Sequence, residues 1–248
     1  MSGTRAHRKG PPVVFVGPTL AREEAEEIVA AVYLPPASQG AVVEAVQRHD
    51  PRVLVIIDGT FQLEPAVRHK EILWALHRGI PVVGAGSMGA LRAAELFPHM
   101  RGVGLVYRWY RRFPFTSDDA VAVLHGPLAM SSKPLTTALL DLRMTFRVAE
   151  RRGLIARALR SRLDAAAIRL NFCERSIEAV VTAACGTADL GDLSGLLASA
   201  LVEQKKLDAI AALRLLRDGA LEARPAQIPF ARTTAFLRDL LVSAVRLD

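Results

Sequence analysis

The segment from Gly84 to Gly89, Gly-Ala-Gly-Ser-Met-Gly, has the residue types and spacing most suggestive of chemistry in this chain. As G-x-G-x-x-G it would place a pyrophosphate at a helix N-terminus, although that fingerprint normally belongs to the first strand–helix unit. As a one-residue variant of G-x-S-x-G it would expose Ser87 as a nucleophile, with helix amides forming an oxyanion hole. In a third interpretation, Gly86 and its neighbours only let a helix start close to a sheet.

A nucleophilic serine requires a general base and a group that orients the base. His69 and His125 are the candidate bases, and Asp58, Asp118 or Asp119 could orient one of them. Each also has a structural interpretation. His69 fits the half-buried face of a helix. Asp58, at the tip of a predicted strand, could cap a neighbouring helix, and Asp118-Asp119 could be a helix N-cap.

Two arginines near these candidates could hold an anionic substrate. Arg92 lies three residues before Glu95 on a predicted helix, so the two could simply pair. If Arg92 faces a cleft instead, its guanidinium forms a fork for a carboxylate or a phosphate. Arg68, which directly precedes His69, is the second candidate for binding an anion.

Short apolar runs alternate with helical patterns through the first half of the chain and would position these residues. Strands are predicted for residues 13–16, 31–34, 52–57, 80–83 and 103–107. Beyond about residue 126, helices are predicted for residues 135–170, 190–221 and 233–245. We therefore predict an α/β fold with a parallel sheet and helices on both faces, followed by a mainly helical C-terminal half.

Local signals predict where elements and domains begin and end. Thr19 is expected to cap the first helix, and Ser38 to start the second. Residues 1–12 are predicted to be a flexible basic tail, without the apolar segment of a secretory signal. An α/β core is predicted for residues 13–126, and a helical region for residues 127–248.

In an open parallel sheet, ligands and catalytic groups gather at the carboxyl ends of the strands. Polar or glycine-rich segments lie at four such ends: Gly17-Pro18-Thr19, Tyr33–Gln39, Asp58–Phe61 and Gly84–Gly89. If the predicted topology holds, these four segments converge.

Composition excludes several other classes of function. The net charge of +7 comes with scattered arginines and no recognised nucleic-acid module, so no nucleic-acid partner is expected. The apolar stretches of the chain, Val53–Ile57 and Ile28–Leu34 among them, are far shorter than the roughly 20 residues of a membrane helix. Cys173 and Cys185 suggest neither a zinc site nor a disulfide framework, so we expect no metal and a cytoplasmic location.

The first half of the chain also carries a series of short motifs in a definite order. They are Val14–Leu20, Tyr33–Ala37 with Gly40, Ile57-Asp58-Gly59 with Phe61, His69–Leu73, Ser87–Leu96, Met100, Gly102-Val103-Gly104, Asp118-Asp119, Val121–Val123 and His125. Together these motifs resemble the TfuA-like proteins over about residues 13–126. Arg111-Arg112-Phe113 and Ala120 depart from the family pattern.

The resemblance implies a role in making thioamides on ribosomally made peptides or on an enzyme's backbone. A YcaO-type enzyme would be the partner and would use ATP and Mg²⁺, and this chain, which lacks a Walker-type loop, would need no cofactor. The implied contribution is sulfide release from a thiocarboxylated, ubiquitin-like sulfur-carrier protein, by attack of Ser87 or of water activated by a histidine. The precursor peptide would be an indirect partner. The predicted substrate-binding residues are Arg92, Arg68, Gly17, Thr19, Gly86, Met88, Gly89, Asp118 and Asp119.

Two other classes of function stay open at the level of sequence. A non-catalytic adaptor would dock the YcaO enzyme and the sulfur carrier side by side and so raise their effective concentration. An unrelated serine hydrolase would act on simple esters without any carrier protein.

Overall fold

The computed structural model describes residues 10–61, 64–126, 134–186, 190–223 and 225–247. These residues divide into two compact units. The first contains the described residues up to Pro114 and those from Lys206 onward, and the second contains the described residues from Phe115 to Lys205. Within the described ranges, no helix is both long and apolar enough to cross a bilayer.

The first unit is built on a five-stranded parallel sheet. Its strands are Val13–Phe15 (β1), Val32–Leu34 (β2), Leu54–Ile56 (β3), Val82–Ala85 (β4) and Arg101–Val103 (β5). The strand order is β2-β1-β3-β4-β5, and every neighbouring pair is parallel. This order has a topological switch point between β1 and β3, where open α/β sheets form a ligand-binding crevice.

Helices follow every strand and continue through the second half of the chain. They are Arg22–Ile28 (α1), Ala41–His49 (α2), His69–His77 (α3), Met88–Glu95 (α4), Gly104–Arg112 (α5), Leu139–Arg151 (α6), Arg157–Arg169 (α7), Ile177–Cys185 (α8), Leu190–Ser199 (α9), Gln204–Arg217 (α10) and Thr234–Val242 (α11). Helices α6 to α9 lie in the second unit, together with a 3₁₀ turn at Asp118–Ala120. The predicted α/β sheet with a mainly helical C-terminal half is therefore confirmed.

The core of the first unit includes a helix from the far end of the chain. Val14 and Val55 of the sheet belong to one buried cluster with Ala212 and Leu213 of α10. Each of these four residues is fully buried, so α10 covers apolar sheet surface that would otherwise contact water. Part of the C-terminal half thus completes the sheet unit.

The predicted strand at residues 103–107 is wrong, because the strand ends at Val103 and residues from Gly104 onward are helical. Gly104 has φ of +97°, which turns the chain where a residue with a side chain would be strained. The amide of Val106 then donates to Asp208 Oδ2 at 2.7 Å. Asp208 is 102 positions further along the chain, so no local pattern could reveal that it caps α5.

Two predicted helix starts are also wrong. Helix α1 begins at Arg22 without a side-chain cap, because the Thr19 hydroxyl donates to Asp58 instead. Helix α2 begins at Ala41 rather than Ser38, and Gly40 precedes it with φ of +87°. At the start of α2 the carboxylate of Glu71, which lies in α3, accepts the amides of Gly40 and Val42 that the local pattern assigned to a hydroxyl.

Candidate functional site

The loops that follow the first four strands meet at one edge of the sheet, as the sequence predicts. The Ala37 amide donates to the carbonyl of Asp58 at 2.9 Å, and the Thr60 amide donates to the carbonyl of Ala37 at 3.1 Å. These bonds join the β2 and β3 loops. The β3 loop also touches the start of α4, since a Cβ on Gly59 would lie 2.6 Å from Met88 Cγ.

The Asp58 carboxylate crosses the switch point from the β3 loop to the β1 loop. Its Oδ2 accepts hydrogen bonds from the amides of Gly17 (2.8 Å) and Thr19 (3.1 Å), and its Oδ1 accepts the Thr19 hydroxyl at 2.6 Å. Asp58 is only 1% exposed. The amides that could have held a substrate anion are therefore occupied by a carboxylate of the protein. Among the described residues, the carboxylate of Asp58 holds the β1 loop and does not orient a histidine.

The turn between β4 and α4 places Ser87 at the N-cap of the helix. Gly86 has φ of +70°, whereas Ser87 has φ of −121° and ψ of −120°, so the glycine takes the left-handed turn. Close packing explains the two flanking glycines. A Cβ on Gly84 would lie 1.9 Å from the Gly89 carbonyl oxygen, and one on Gly89 would lie 1.7 Å from the Ile56 carbonyl oxygen.

Most amides at the start of α4 already have acceptors. The Gly89 amide donates to the carbonyl of Ile57 at 3.2 Å, and the next two amides donate to the Ser87 carbonyl at 3.0 and 3.3 Å. The described residues provide no backbone acceptor for the amide of Met88, which directly follows the serine. In a nucleophile elbow this amide belongs to the oxyanion hole. The turn therefore suits one oxyanion better than a pyrophosphate, which needs several free amides.

His69, Arg92 and Glu95 form a charged cluster between α3 and α4. His69 Nε2 lies 2.8 Å from Glu95 Oε2, which also accepts Arg92 Nη1 at 2.6 Å, while Arg92 Nε donates to the carbonyl of Val67 at 3.0 Å. Burial raises the pKa of the Glu95 carboxyl, but the hydrogen bonds from His69 and Arg92 outweigh burial and lower it. Glu95 lies about 12 Å along the helix axis from Ser87, from a rise of about 1.5 Å per residue. The cluster therefore belongs to the opposite end of α4.

Glu71 is a buried carboxylate that sequence reasoning missed. It accepts hydrogen bonds from the amides of Arg68 (2.7 Å), Gly40 (3.2 Å) and Val42 (3.1 Å), and so joins the starts of α2 and α3. Burial raises the pKa of Glu71 to about 7, although the backbone hydrogen bonds oppose the shift. The three-residue spacing from Arg68 to Glu71 resembles a capping box and could have revealed part of this role. The Arg68 guanidinium itself donates to Gln39 Oε1 at 3.0 Å.

The remaining predicted site residues lie in the second unit. His125 is exposed, and its Nδ1 lies 2.8 Å from the carbonyl oxygen of Gly126. Asp118 is exposed, whereas Asp119 Oδ2 accepts Nη2 of the buried Arg175 at 2.7 Å. Burial would raise the pKa of Asp119, but a hydrogen bond from a neighbouring serine and the charge of Arg175 lower it. Asp119 thus has a structural partner 56 positions away, which sequence reasoning missed.

Part of the region that contains these loops and clusters matches a known family. Residues 58–176 match the family model of the TfuA-like proteins. The TfuA-like segment includes Asp58, the Ser87 turn and the cluster around Glu95, but not Gly17 or Thr19. It also extends past residue 126, where the resemblance seen in the motifs ends, and includes Arg175.

The TfuA-like match supports an accessory role in systems of TfuA-like and YcaO proteins in general. A comparison with curated proteins finds no match. Within the part of the chain that the structure describes, no group of three His, Cys, Asp or Glu side chains is placed to hold a metal ion. Within the TfuA-like segment, the turn at Ser87 is the candidate site.

Proposed function

We propose that this protein is an accessory component of YcaO-dependent peptide-backbone thioamidation, and that it releases sulfide from a thiocarboxylated, ubiquitin-like sulfur-carrier protein in the cytoplasm. The observation that carries the proposal is the turn at Ser87, where a glycine with φ of +70° precedes the serine and the next amide has no described backbone acceptor. The family match of residues 58–176 supports the accessory role.

The proposed reaction is acyl transfer in two steps. The Ser87 oxygen attacks the thiocarboxylate carbon, the carbon–sulfur bond breaks, and the hydroxyl proton leaves with sulfur as HS⁻. Water then hydrolyses the acyl-serine to a carboxylate and restores the hydroxyl, with release of a proton. Because sulfide carries away the first proton, the step does not require His69 or His125 to touch Ser87.

Within this proposal the surrounding residues bind and orient the tail of the carrier. The Met88 amide donates to the developing oxyanion. Arg92 would bind an acidic side chain of the carrier's tail in exchange for Glu95, its ion-pair partner at 2.6 Å. The arginine at position 68 is the second anion-binding candidate. The YcaO partner supplies ATP and Mg²⁺ and contacts the precursor peptide.

A specific observation favours a second candidate function, the non-catalytic adaptor. Asp58 is engaged by the β1 loop, and one ring nitrogen of His69 is engaged by Glu95, so neither is poised beside the serine. In an adaptor the converged loops bind the YcaO enzyme and the sulfur carrier, and all bond cleavage occurs on the enzyme.

Sulfide release from a thiocarboxylated carrier protein distinguishes the two functions. Wild type, Ser87→Ala and the control Ser161→Ala, an exposed serine whose hydroxyl donates to a helical carbonyl, are compared with and without the YcaO enzyme. The hydrolase predicts release by wild type and by the control, and its loss in Ser87→Ala with carrier binding retained. If wild type releases no sulfide yet binds both partners, the adaptor is correct and the hydrolytic proposal is refuted.

A further inference from the structure

Helix α5 presents three exposed arginines that have no ion-pair partner among the described residues. Arg108, Arg111 and Arg112 follow the i, i+3, i+4 spacing that brings side chains together on one face of a helix. Val106 and Tyr110 are buried and attach the other side of the helix to its unit. The three arginines therefore place positive charge on the solvent-facing side of the helix.

Two phenylalanines are near these charges: Phe97 contacts Arg111, and Phe113 directly follows Arg112 in the chain. The Arg111 guanidinium carbon is 3.8 Å from the centroid of the Phe97 ring, so the two groups stack. Phe97 and Phe113 are each about half exposed, at 52% and 53%, and Phe113 also lies near the ring of Trp109, with 6.4 Å between centroids. Stacking orients the planar guanidinium while leaving its edge N–H groups available to an acceptor.

Other arginines of the same unit are used differently. Arg22, Arg52 and Arg92 each bind a carboxylate of the protein at 2.6–2.8 Å. The α5 arginines carry positive charge that the described part of the chain does not neutralise, next to apolar rings that water contacts. Arginine and aromatic side chains together are the composition typical of the energetically important centre of protein interfaces.

We propose that the basic–aromatic face, formed by Phe97, Arg108, Arg111, Arg112 and Phe113, docks an acidic segment of a partner protein that also carries an apolar side chain. Carboxylates of the segment accept bidentate hydrogen bonds from the guanidinium edges. The apolar side chain covers the phenylalanine rings and removes them from water. The charge complementarity speeds encounter and fixes the register of the segment.

The size of this face favours an acidic peptide over a nucleic acid. The three arginines lie within about 6 Å along the helix axis, from a rise of about 1.5 Å per residue. That span suits two or three neighbouring carboxylates, whereas proteins that track a nucleic-acid backbone spread their cations over many phosphates. One face of the Phe97 ring is already covered by Arg111 and is not open to a stacked base.

The inference is independent of what Ser87 does. Phe97 follows the C-terminal end of α4, whereas Ser87 precedes its N-terminal end. A variant of the basic–aromatic face can therefore lose docking while keeping any sulfide release from a free carrier. A failure of docking and a failure of the proposed hydrolysis give different experimental results.

The test is fluorescence anisotropy with a short labelled peptide rich in Glu and Asp and containing one Phe. A second peptide replaces every acid with its amide. Arg108→Gln/Arg111→Gln/Arg112→Gln is compared with wild type and with a matched triple variant of the exposed arginines on or next to α6. The control variant is Arg147→Gln/Arg151→Gln/Arg152→Gln, which removes the same three charges.

Wild type is expected to bind the acidic peptide and not the amide peptide. The α5 variant should bind at least about tenfold more weakly, because each of three exposed pairs contributes a factor of about two to five. The α6 variant should bind within about twofold of wild type, because its arginines are not part of the proposed face and act only through net charge, which salt screens. Near-ultraviolet circular dichroism of both variants checks that the fold is retained.

Three results would overturn the proposal. Equal weakening by both triple variants would mean that only net charge matters. No binding of the acidic peptide by wild type would remove the docking site. Tighter binding of a single-stranded oligonucleotide than of the peptide, lost in the α5 variant, would assign the face to nucleic acid.

Discussion

Removing the Asp58 carboxylate should detach the β1 loop from the β3 loop and destabilise the sheet unit. Asp58→Ala deletes three hydrogen bonds, to the Gly17 amide, the Thr19 amide and the Thr19 hydroxyl. Bonds to a buried charged group contribute about 1.5–3 kcal/mol each, with losses that are not additive, so we expect a cost of about 4 kcal/mol. Asp58→Asn keeps the shape and should cost about 1–2 kcal/mol, because neutral hydrogen bonds are weaker.

Thr19→Val isolates one of these bonds. It removes only the hydroxyl that donates to Asp58 Oδ1 at 2.6 Å, and Thr19 is 6% exposed, so we expect a cost of about 2 kcal/mol. In the double variant Thr19→Val/Asp58→Ala the second change should cost less than it does alone. The coupling free energy is expected to be about 1–2 kcal/mol, as for residues that share a buried network.

Urea unfolding followed by tryptophan fluorescence measures these costs selectively. Both tryptophans of the chain, Trp74 and Trp109, lie in the sheet unit, so the signal does not report the second unit. The expected order of stability is wild type, Asp58→Asn, then Asp58→Ala. The reasoning is refuted if Asp58→Ala unfolds within about 1 kcal/mol of wild type, or if the coupling free energy is zero.

Three further predictions concern residues outside the β1 loop. Burial raises the pKa of Glu71 to about 7 from 4.5. Between about pH 5 and about pH 7 the folded state keeps the proton on Glu71, whereas the unfolded state has lost it. The free energy of unfolding therefore decreases by at most about 3 kcal/mol as the pH rises through this range. Urea unfolding at the two pH values measures the decrease, which should be smaller in Glu71→Gln than in wild type. An equal decrease in both proteins would contradict the role of the Glu71 carboxyl. Gly89→Ala places a Cβ 1.7 Å from a β3 carbonyl oxygen and should cost about 3 kcal/mol or more in thermal unfolding by circular dichroism. The control Gly195→Ala, where a Cβ on α9 would meet nothing, should raise the free energy of unfolding by up to about 1 kcal/mol. Equal effects of the two glycine substitutions would exclude the steric explanation. Asp119→Asn weakens the ion pair with the buried Arg175 and should speed amide hydrogen exchange in the second unit. The control Asp118→Asn changes an exposed residue and should not. Equal exchange rates in the two variants would argue against a structural role for Asp119.

The contacts of the two histidines bear on which group takes the hydroxyl proton of Ser87 in the proposed hydrolysis. From the sequence, His69 or His125 was expected to act as the base for Ser87. His69 binds Glu95, and Nδ1 of His125 lies 2.8 Å from the carbonyl oxygen of Gly126. A mechanism in which sulfide carries off the serine proton needs neither histidine. Substitution of His69 then affects turnover only through the cluster that holds Arg92.

Local patterns predicted the elements of the sheet unit well. The buried runs around Val14, Val55 and Val83 are strands, as expected for short runs rich in Val and Ile that are bounded by Gly, Pro or Asp. The sharp turn at Gly86 was also predicted, since small residues between a strand and a helix let the helix start close to the sheet. The class of fold and the convergence of four loops followed from these signals and from the parallel topology.

The sequence by itself therefore determined four of the five strands, where the carboxyl edge of the sheet lies and which glycines let α4 start against it. Only the tertiary structure decided that Asp58 serves the β1 loop, that Asp208 caps α5 and that α10 covers the sheet. The physical reason is distance along the chain. Strand and helix formation depend on neighbours within a few residues, whereas a buried carboxylate finds its donors through the packing of elements that lie tens of residues apart.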